Sequence, residues 1–185
     1  GHLAVSMCGI AGFTGDFSLA LLRAMNESII HRGPDDQGEK LFKKPTSQVG
    51  LAHRRLSIID LSPEGHQPMS VSCECCQPLG SSEENQLWLT YNGELYNYRA
   101  LRDELIAKGH RFHSETDSEV ILHLYAEEGA SMLSRLNGMF ALALYDGRKN
   151  GEVLIARDGL GVKPLYYSEL QQGVLFASEL KALLK

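Results

Sequence analysis

No stretch of the 185-residue chain approaches the roughly 20 consecutive apolar residues that a membrane-spanning helix needs. A signal peptide, with its charged start, apolar stretch and cleavage site, is missing as well, so the expected setting is the cytoplasm, with no membrane partner. Basic clusters are equally scarce. Lys43-Lys44 is the longest, and 18 Lys and Arg against 23 Asp and Glu leave a net charge of −5. Nucleic-acid binders gain affinity by neutralising phosphates, so no nucleic acid is expected among the partners. Cysteine is sparse: Cys73, Cys75 and Cys76 crowd together and Cys8 stands alone. That is a poor disulfide framework. The crowded trio reads as matching no common zinc spacing, with no second Cys or His cluster at a ligand-like interval, so no metal is expected and these cysteines read as bystanders.

What is present fits one soluble domain: 43% apolar and 22% charged residues over a length that can bury a real core. Residues 1–6 precede a Met-Cys-Gly-Ile start and read as a leader or cloning remnant, leaving 7–185 as the domain. From 18 to 30, Leu19, Leu22, Met25 and Ile29 recur at three and four, one face of a helix that Gly33-Pro34 ends. Residues 48–53 and 56–59 read as strands around a bend, and 87–91 as a third strand bounded by Asn92-Gly93. Between them, 62–86 reads as a surface loop with a mobile middle. Helices are expected over 98–108, closed by Gly109, and from Asp117 and Ser118 to Gly129, with a short helical piece at 132–136. Strands follow at 139–145, 152–156, 165–168 and 174–177, then the start of a helix at 178. Strands, adjacent helices and a strand meander make an α+β order.

A cysteine that opens a mature chain can use its own α-amino group as base, since that amine has a pKa of about 7.7–8.0. Removal of Met7 would expose Cys8, and Gly9 keeps bulk away from a substrate. Attack on an amide also needs donors where negative charge develops, and Asn92-Gly93 offers an amide side chain and a backbone N–H, although the pair equally suits a hairpin turn. An amino-acid substrate would need an arginine for its carboxylate; Arg32, Arg54, Arg55 and Arg157 are all eligible, and spacing does not choose. Asp117, Glu94 or Asp35 could serve its ammonium group. His31, His53, His66, His110, His113 and His123 keep a papain-type cysteine hydrolase open as a competing class, though nothing places any of them beside Cys8.

Several blocks in order resemble the class II glutamine amidotransferases: Met7-Cys8-Gly9-Ile10-Ala11-Gly12, His31-Arg32-Gly33-Pro34-Asp35, His53-Arg54-Arg55-Leu56-Ser57-Ile58-Ile59-Asp60, Tyr91-Asn92-Gly93-Glu94-Leu95-Tyr96-Asn97, Thr116-Asp117-Ser118-Glu119 and the run from Arg157 to Tyr167. His66-Gln67-Pro68-Met69 and Ser178-Glu179-Leu180-Lys181 look like the asparagine synthetase branch. The resemblance implies an N-terminal-nucleophile hydrolase fold, a four-layer αββα sandwich of two antiparallel sheets. It implies Cys8 as nucleophile, Asn92 and Gly93 as the oxyanion hole and Arg55 on the substrate carboxylate. Asp117 and Glu94 would take the ammonium, with the backbone of Leu56, Ser57, Ile58 and Ile59 lining the pocket. The implied hydrolase reaction turns L-glutamine into L-glutamate and ammonia through a Cys8 thioester. The ammonia would serve a synthetase (ligase) domain in cis or in trans. No Ser-Gly-Gly-X-Asp-Ser pyrophosphate loop occurs in this chain, so ATP and magnesium belong to that other domain and no cofactor is expected here. A homodimer is left open. The alternative is a glutamine-binding or partner-binding module without turnover, blocked while residues 1–7 precede Cys8.

Overall fold

The computed structural model of the chain describes residues 8–44, 47–56 and 63–185. Alternation along the first strand, β1 (Gly9–Gly15), sets the layers. Ala11 and Phe13 turn outward onto Leu22 and Met25 of α1 (Leu19–Ser28) and onto Ile29 just beyond it. The Ser18 hydroxyl starts that helix by accepting the Leu21 N–H at 3.2 Å. Ile10 and Gly12 turn inward, and a Cβ on Gly12 would come within 2.4 Å of the Phe176 ring.

Four more strands complete this sheet: β2 (Asp36–Lys43), β3 (Gln48–Arg55), and, late in the chain, two strands at Tyr166–Leu170 and Gly173–Ala177. A second sheet comprises β4 (Leu87–Leu95), β5 (Gly138–Asp146) and β6 (Glu152–Arg157), which makes the late pair β7 and β8. The orders are β2-β3-β1-β8-β7 and β4-β5-β6, antiparallel throughout. On the outside of the second sheet, Leu101 and Leu105 of α2 (Tyr98–Ala107) and Val120, Ile121 and Leu124 of α3 (Asp117–Glu128) bury Leu89, Tyr91, Leu142 and Leu144. Between the sheets Phe42, Val49, Leu51 and Phe176 meet Trp88, Ala143 and Tyr145, with Phe42 and Tyr145 stacked at 4.0 Å. Each large side chain buried this completely stabilises the fold by about 1.5–3 kcal/mol. The result is the expected α+β, four-layer αββα sandwich.

Some elements differ from the sequence expectation. β2 carries Asp36, Glu39, Lys40 and Lys43 on a half-buried edge, where the apolar alternation is too weak to read. The helix expected from 178 is a 3-10 turn at Leu180–Leu184. Asn92-Gly93 is no hairpin turn: both residues lie within β4, opposite Ala141 and Phe140. Of the strand expected at 56–59, Leu56 follows the end of β3 and 57–59 lie outside the described residues.

The segment 63–86 departs most. It is irregular, but Gln67, Met69, Val71, Cys73, Cys76 and Gln77 are all buried. It covers the free edge of β4 in a regular way. Leu87 N–H donates to Gln77 Oε1 at 2.8 Å, Leu89 N–H to the Met69 carbonyl at 2.8 Å, and Tyr91 N–H to Gln67 Oε1 at 2.6 Å. Three alternate backbone donors of the edge strand are thereby satisfied.

Candidate active site

Cys8 immediately precedes β1, half-buried, and continues the inward parity of Ile10 and Gly12 towards the space between the sheets. Gly9 is tightly enclosed: a Cβ there would stand 3.0 Å from Ile29 and 3.2 Å from Arg32 side-chain atoms. Arg32 lies alongside, its Nη1 donating to the Cys8 carbonyl at 3.4 Å and its Nε to Glu179 Oε1 at 2.7 Å. Burial pushes the Glu179 carboxyl up, but the bonds from Arg32 and His31 outweigh it and hold the group below its usual range.

β4 supplies the opposite wall. Its inward residues are Trp88, Thr90 and Asn92, and Thr90 crosses to the other sheet by donating Oγ1–H to the Ala52 carbonyl at 2.9 Å. Asn92 is 1% exposed, yet among the described residues neither its Nδ2 nor its Oδ1 has a hydrogen-bond partner. A buried amide left unmatched costs about 1–3 kcal/mol. The Gly93 N–H falls on the outer edge of β4, between the N–H of Tyr91 and that of Leu95, and so does not face β5. Gly93 also must be glycine for packing, since a Cβ would lie 2.2 Å from the Met139 carbonyl oxygen.

Strand parity separates two of the four arginines. Arg54 turns to the helical layer, where its Nε donates to the Asn26 carbonyl at 3.1 Å; Arg55 therefore turns inward with Leu51 and His53. Arg157 sits at the end of β6, near Gly161. Asp117 lies in the first turn of α3, whose cap is Thr116; Asp117 Oδ2 accepts from the Tyr91 hydroxyl at 2.9 Å and the Leu95 N–H at 3.0 Å. Burial raises the Asp117 carboxyl against those bonds. Glu94 is exposed on β4, on the same strand face as Asn92. Asp35 is exposed, and its N–H donates to the Arg55 carbonyl at 3.2 Å. Leu56 is half-buried after β3, while Ser57, Ile58 and Ile59 lie outside the described residues.

Lys163 is a group to which sequence reasoning gave no role. It is 4% exposed, and burial pushes its ammonium down while the charges of Cys8, Glu94 and Asp158 push it up and that of Arg32 pushes it down. It lies in the Arg157 to Tyr167 block, where only the block and not its lysine was singled out. Nearby, Asp158 Oδ1 accepts the Phe140 N–H at 2.9 Å and Oδ2 the Val162 N–H at 3.2 Å, anchoring the segment that carries Lys163.

The six candidate histidines are engaged elsewhere: His31 with Glu179, His53 with the Tyr91 carbonyl, His66 with Asp36, His110 with Glu127, His113 with the Ser72 carbonyl and His123 with Glu119. These pairings argue against a papain-type base. The cysteines of 63–86 are also not the bystanders expected, for Cys73 and Cys76 are buried beside His110 and His123.

A family model described as a glutamine amidotransferase domain matches residues 7–185. The chain is 41% identical to asparagine synthetase (glutamine-hydrolysing) 1 of Bacillus subtilis, covering 96% of this chain and 27% of that protein. It is 38% identical to a putative asparagine synthetase (glutamine-hydrolysing) 2 of Methanocaldococcus jannaschii, covering 96% and 35%. It thus spans about a third or less of these relatives. The glutamine phosphoribosylpyrophosphate amidotransferase of Bacillus subtilis shares the fold, with a TM-score of 0.73 over 95% of this chain and 43% of that one, at 22% identity.

Proposed function

The chain belongs to the glutamine amidotransferase family, and on that premise we propose that Cys8, once it is the first residue, hydrolyses L-glutamine to L-glutamate and ammonia. The observation that carries the reading is Asn92, a buried amide with no partner among the described residues, on the strand face that looks towards the Cys8 sheet. A fold tolerates such a group where it meets a charge that exists only during reaction.

The α-amino group of Cys8 takes the thiol proton, and the positive charge of Lys163 favours the thiolate. Sulfur attacks the γ-carbonyl carbon, and the resulting oxyanion is held by Asn92 Nδ2–H and Gly93 N–H. The proton passes to the amide nitrogen, the C–N bond breaks, and ammonia leaves a γ-glutamyl thioester. Water, activated by the same amine, cleaves the thioester to glutamate and restores the thiol. Arg55 holds the α-carboxylate. Asp117 and Glu94 hold the α-ammonium, whose charge offsets the burial that raises Asp117.

The relatives are named as glutamine-hydrolysing asparagine synthetases, which supports delivery of the ammonia to a synthetase domain in cis or in trans. Leu160, Tyr167, Leu180 and Leu184, exposed late in the chain, offer apolar surface for such a domain. The test compares two forms in ammonia release from glutamine. With Cys8 first the protein should turn over; with residues 1–7 attached, the Cys8 nitrogen is a non-basic amide and the rate should fall at least about 100-fold. No release from a reduced, Cys8-first protein overturns the reading.

A further inference from the structure

We propose that Cys73, Cys76, His110 and His123 form a structural zinc site remote in role from glutamine hydrolysis. Their four ligand atoms lie within 4.8 Å of one another, and all four residues are buried. Cys73 and Cys76 are brought together by a tight turn, in which Cys76 and Gln77 N–H both donate to the Cys73 carbonyl, at 3.0 and 3.1 Å. The Cys-X2-Cys spacing hidden within the Cys-X-Cys-Cys run is one that zinc sites use.

The separations suit a tetrahedral ion. Cys76 Sγ lies 3.2 Å from His123 Nδ1 and 3.6 Å from His110 Nδ1, and Cys73 Sγ lies 3.9 Å from His110 Nδ1. Zinc–sulfur bonds of about 2.3 Å and zinc–nitrogen bonds of about 2.0–2.1 Å require sulfur–nitrogen edges of about 3.5–3.6 Å. The two Nδ1 atoms are 2.8 Å apart, tighter than the edge of about 3.3 Å around a bound ion, so binding would spread them slightly.

The outer nitrogens argue most strongly for a cation. His110 Nε2 donates to Glu127 Oε1 at 2.6 Å and His123 Nε2 to Glu119 Oε2 at 3.2 Å. Each carboxylate fixes the tautomer that leaves Nδ1 with its lone pair directed inward, the arrangement metal-bound imidazoles use. Glu119 is itself pinned by the N–H groups of His113 and Ser114. Two lone pairs and two sulfurs thus converge in a dry pocket. A shared proton can satisfy one pair of these atoms, whereas a divalent cation satisfies all four. Arg111 N–H donates to Cys73 Sγ at 3.4 Å, as backbone donors do to metal-bound thiolates. Four protein ligands leave no open position, so the role is structural: the ion would tie 63–86 to α3 and to the turn after α2.

Metal analysis of the purified full chain, dialysed after exposure to zinc, should find about one zinc per chain. Cys76→Ser and His123→Ala should lose nearly all of it, while Cys75→Ser and Cys8→Ser retain it, which separates this site from the proposed nucleophile. Should those variants fail to fold, the unaltered protein decides: cobalt should produce the absorption of a tetrahedral two-thiolate complex, saturating at one equivalent and bleached by zinc. Wild-type protein that takes up no zinc and gives no cobalt spectrum, or that carries a Cys73–Cys76 disulfide after reducing purification, overturns the proposal.

Discussion

Asn92 shows what a single residue can reveal when its environment is wrong for it. A buried amide with no hydrogen-bond partner among the described residues lowers stability, and a residue that lowers stability without compensation in the resting fold has its use elsewhere. Activity and stability should therefore separate on substitution. Asn92→Ala should cut kcat about 100- to 1,000-fold, the effect of losing one oxyanion donor. The same change should leave the melting temperature level or raised, because the desolvated amide is gone. Steady-state assays and thermal melts on one preparation check both, and a large fall in melting temperature would count against the reading. From sequence, Asn92-Gly93 carried two meanings, a turn or an oxyanion pair, and only its position inside β4 removes the first. Spacing alone does not choose among the arginines; the resemblance singles out Arg55, and strand parity sends Arg54 to α1 and Arg55 inward. Lys163 had no signal of its own, since a lysine in a loop-like segment looks solvated until its surroundings are known.

Among the elements, those with strong periodicity were legible: α1, α2, α3, β5, β6 and β8 follow directly from apolar spacing and their end signals. β2 was not, because an edge strand rich in charge has half its pattern erased. The stretch 63–86 was misread for a deeper reason. Its Ser, Pro, Glu and Gly content describes a loop, but its buried residues gain their environment from β4 and α3, partners distant in sequence. Gln67 and Gln77 act there as substitutes for backbone. Gln77→Ala would strip the Leu87 N–H of its acceptor in a buried position and should destabilise the fold by about 1–3 kcal/mol, read from denaturant midpoints. Gln77→Glu keeps that acceptor but turns a carboxylate oxygen onto the Val71 carbonyl, to which the Gln77 Nε2–H donates at 2.7 Å, and should cost at least as much.

At the scale of the whole molecule, polar bonds among the described residues cross between the sheets: Thr90 to the Ala52 carbonyl and His53 Nε2 to the Tyr91 carbonyl at 3.0 Å. Burial lowers the His53 pKa from 6.5 to about 4, the Tyr91 bond only partly opposing it. The unfolded chain therefore binds a proton that the folded one refuses between those values. The stabilisation is complete above pH 6.5 and is lost as pH falls towards 4, by up to about 3 kcal/mol. His53→Gln should flatten the stability profile in that window, measured by denaturant unfolding at several pH values; an unchanged slope would show that other groups set it. The four-layer order was legible as a whole through resemblance, while the inter-sheet bonds were not, since pairings across sheets have no trace in local spacing.

The cover over β4 has a consequence for how the molecule behaves in a crowded solution. Detached from 63–86, β4 would present the N–H groups of Leu87, Leu89 and Tyr91 in strand register on an apolar ribbon, a template on which a second chain could lay a strand of its own. By holding those three donors, the segment 63–86 keeps this edge of β4 closed to a strand from another chain.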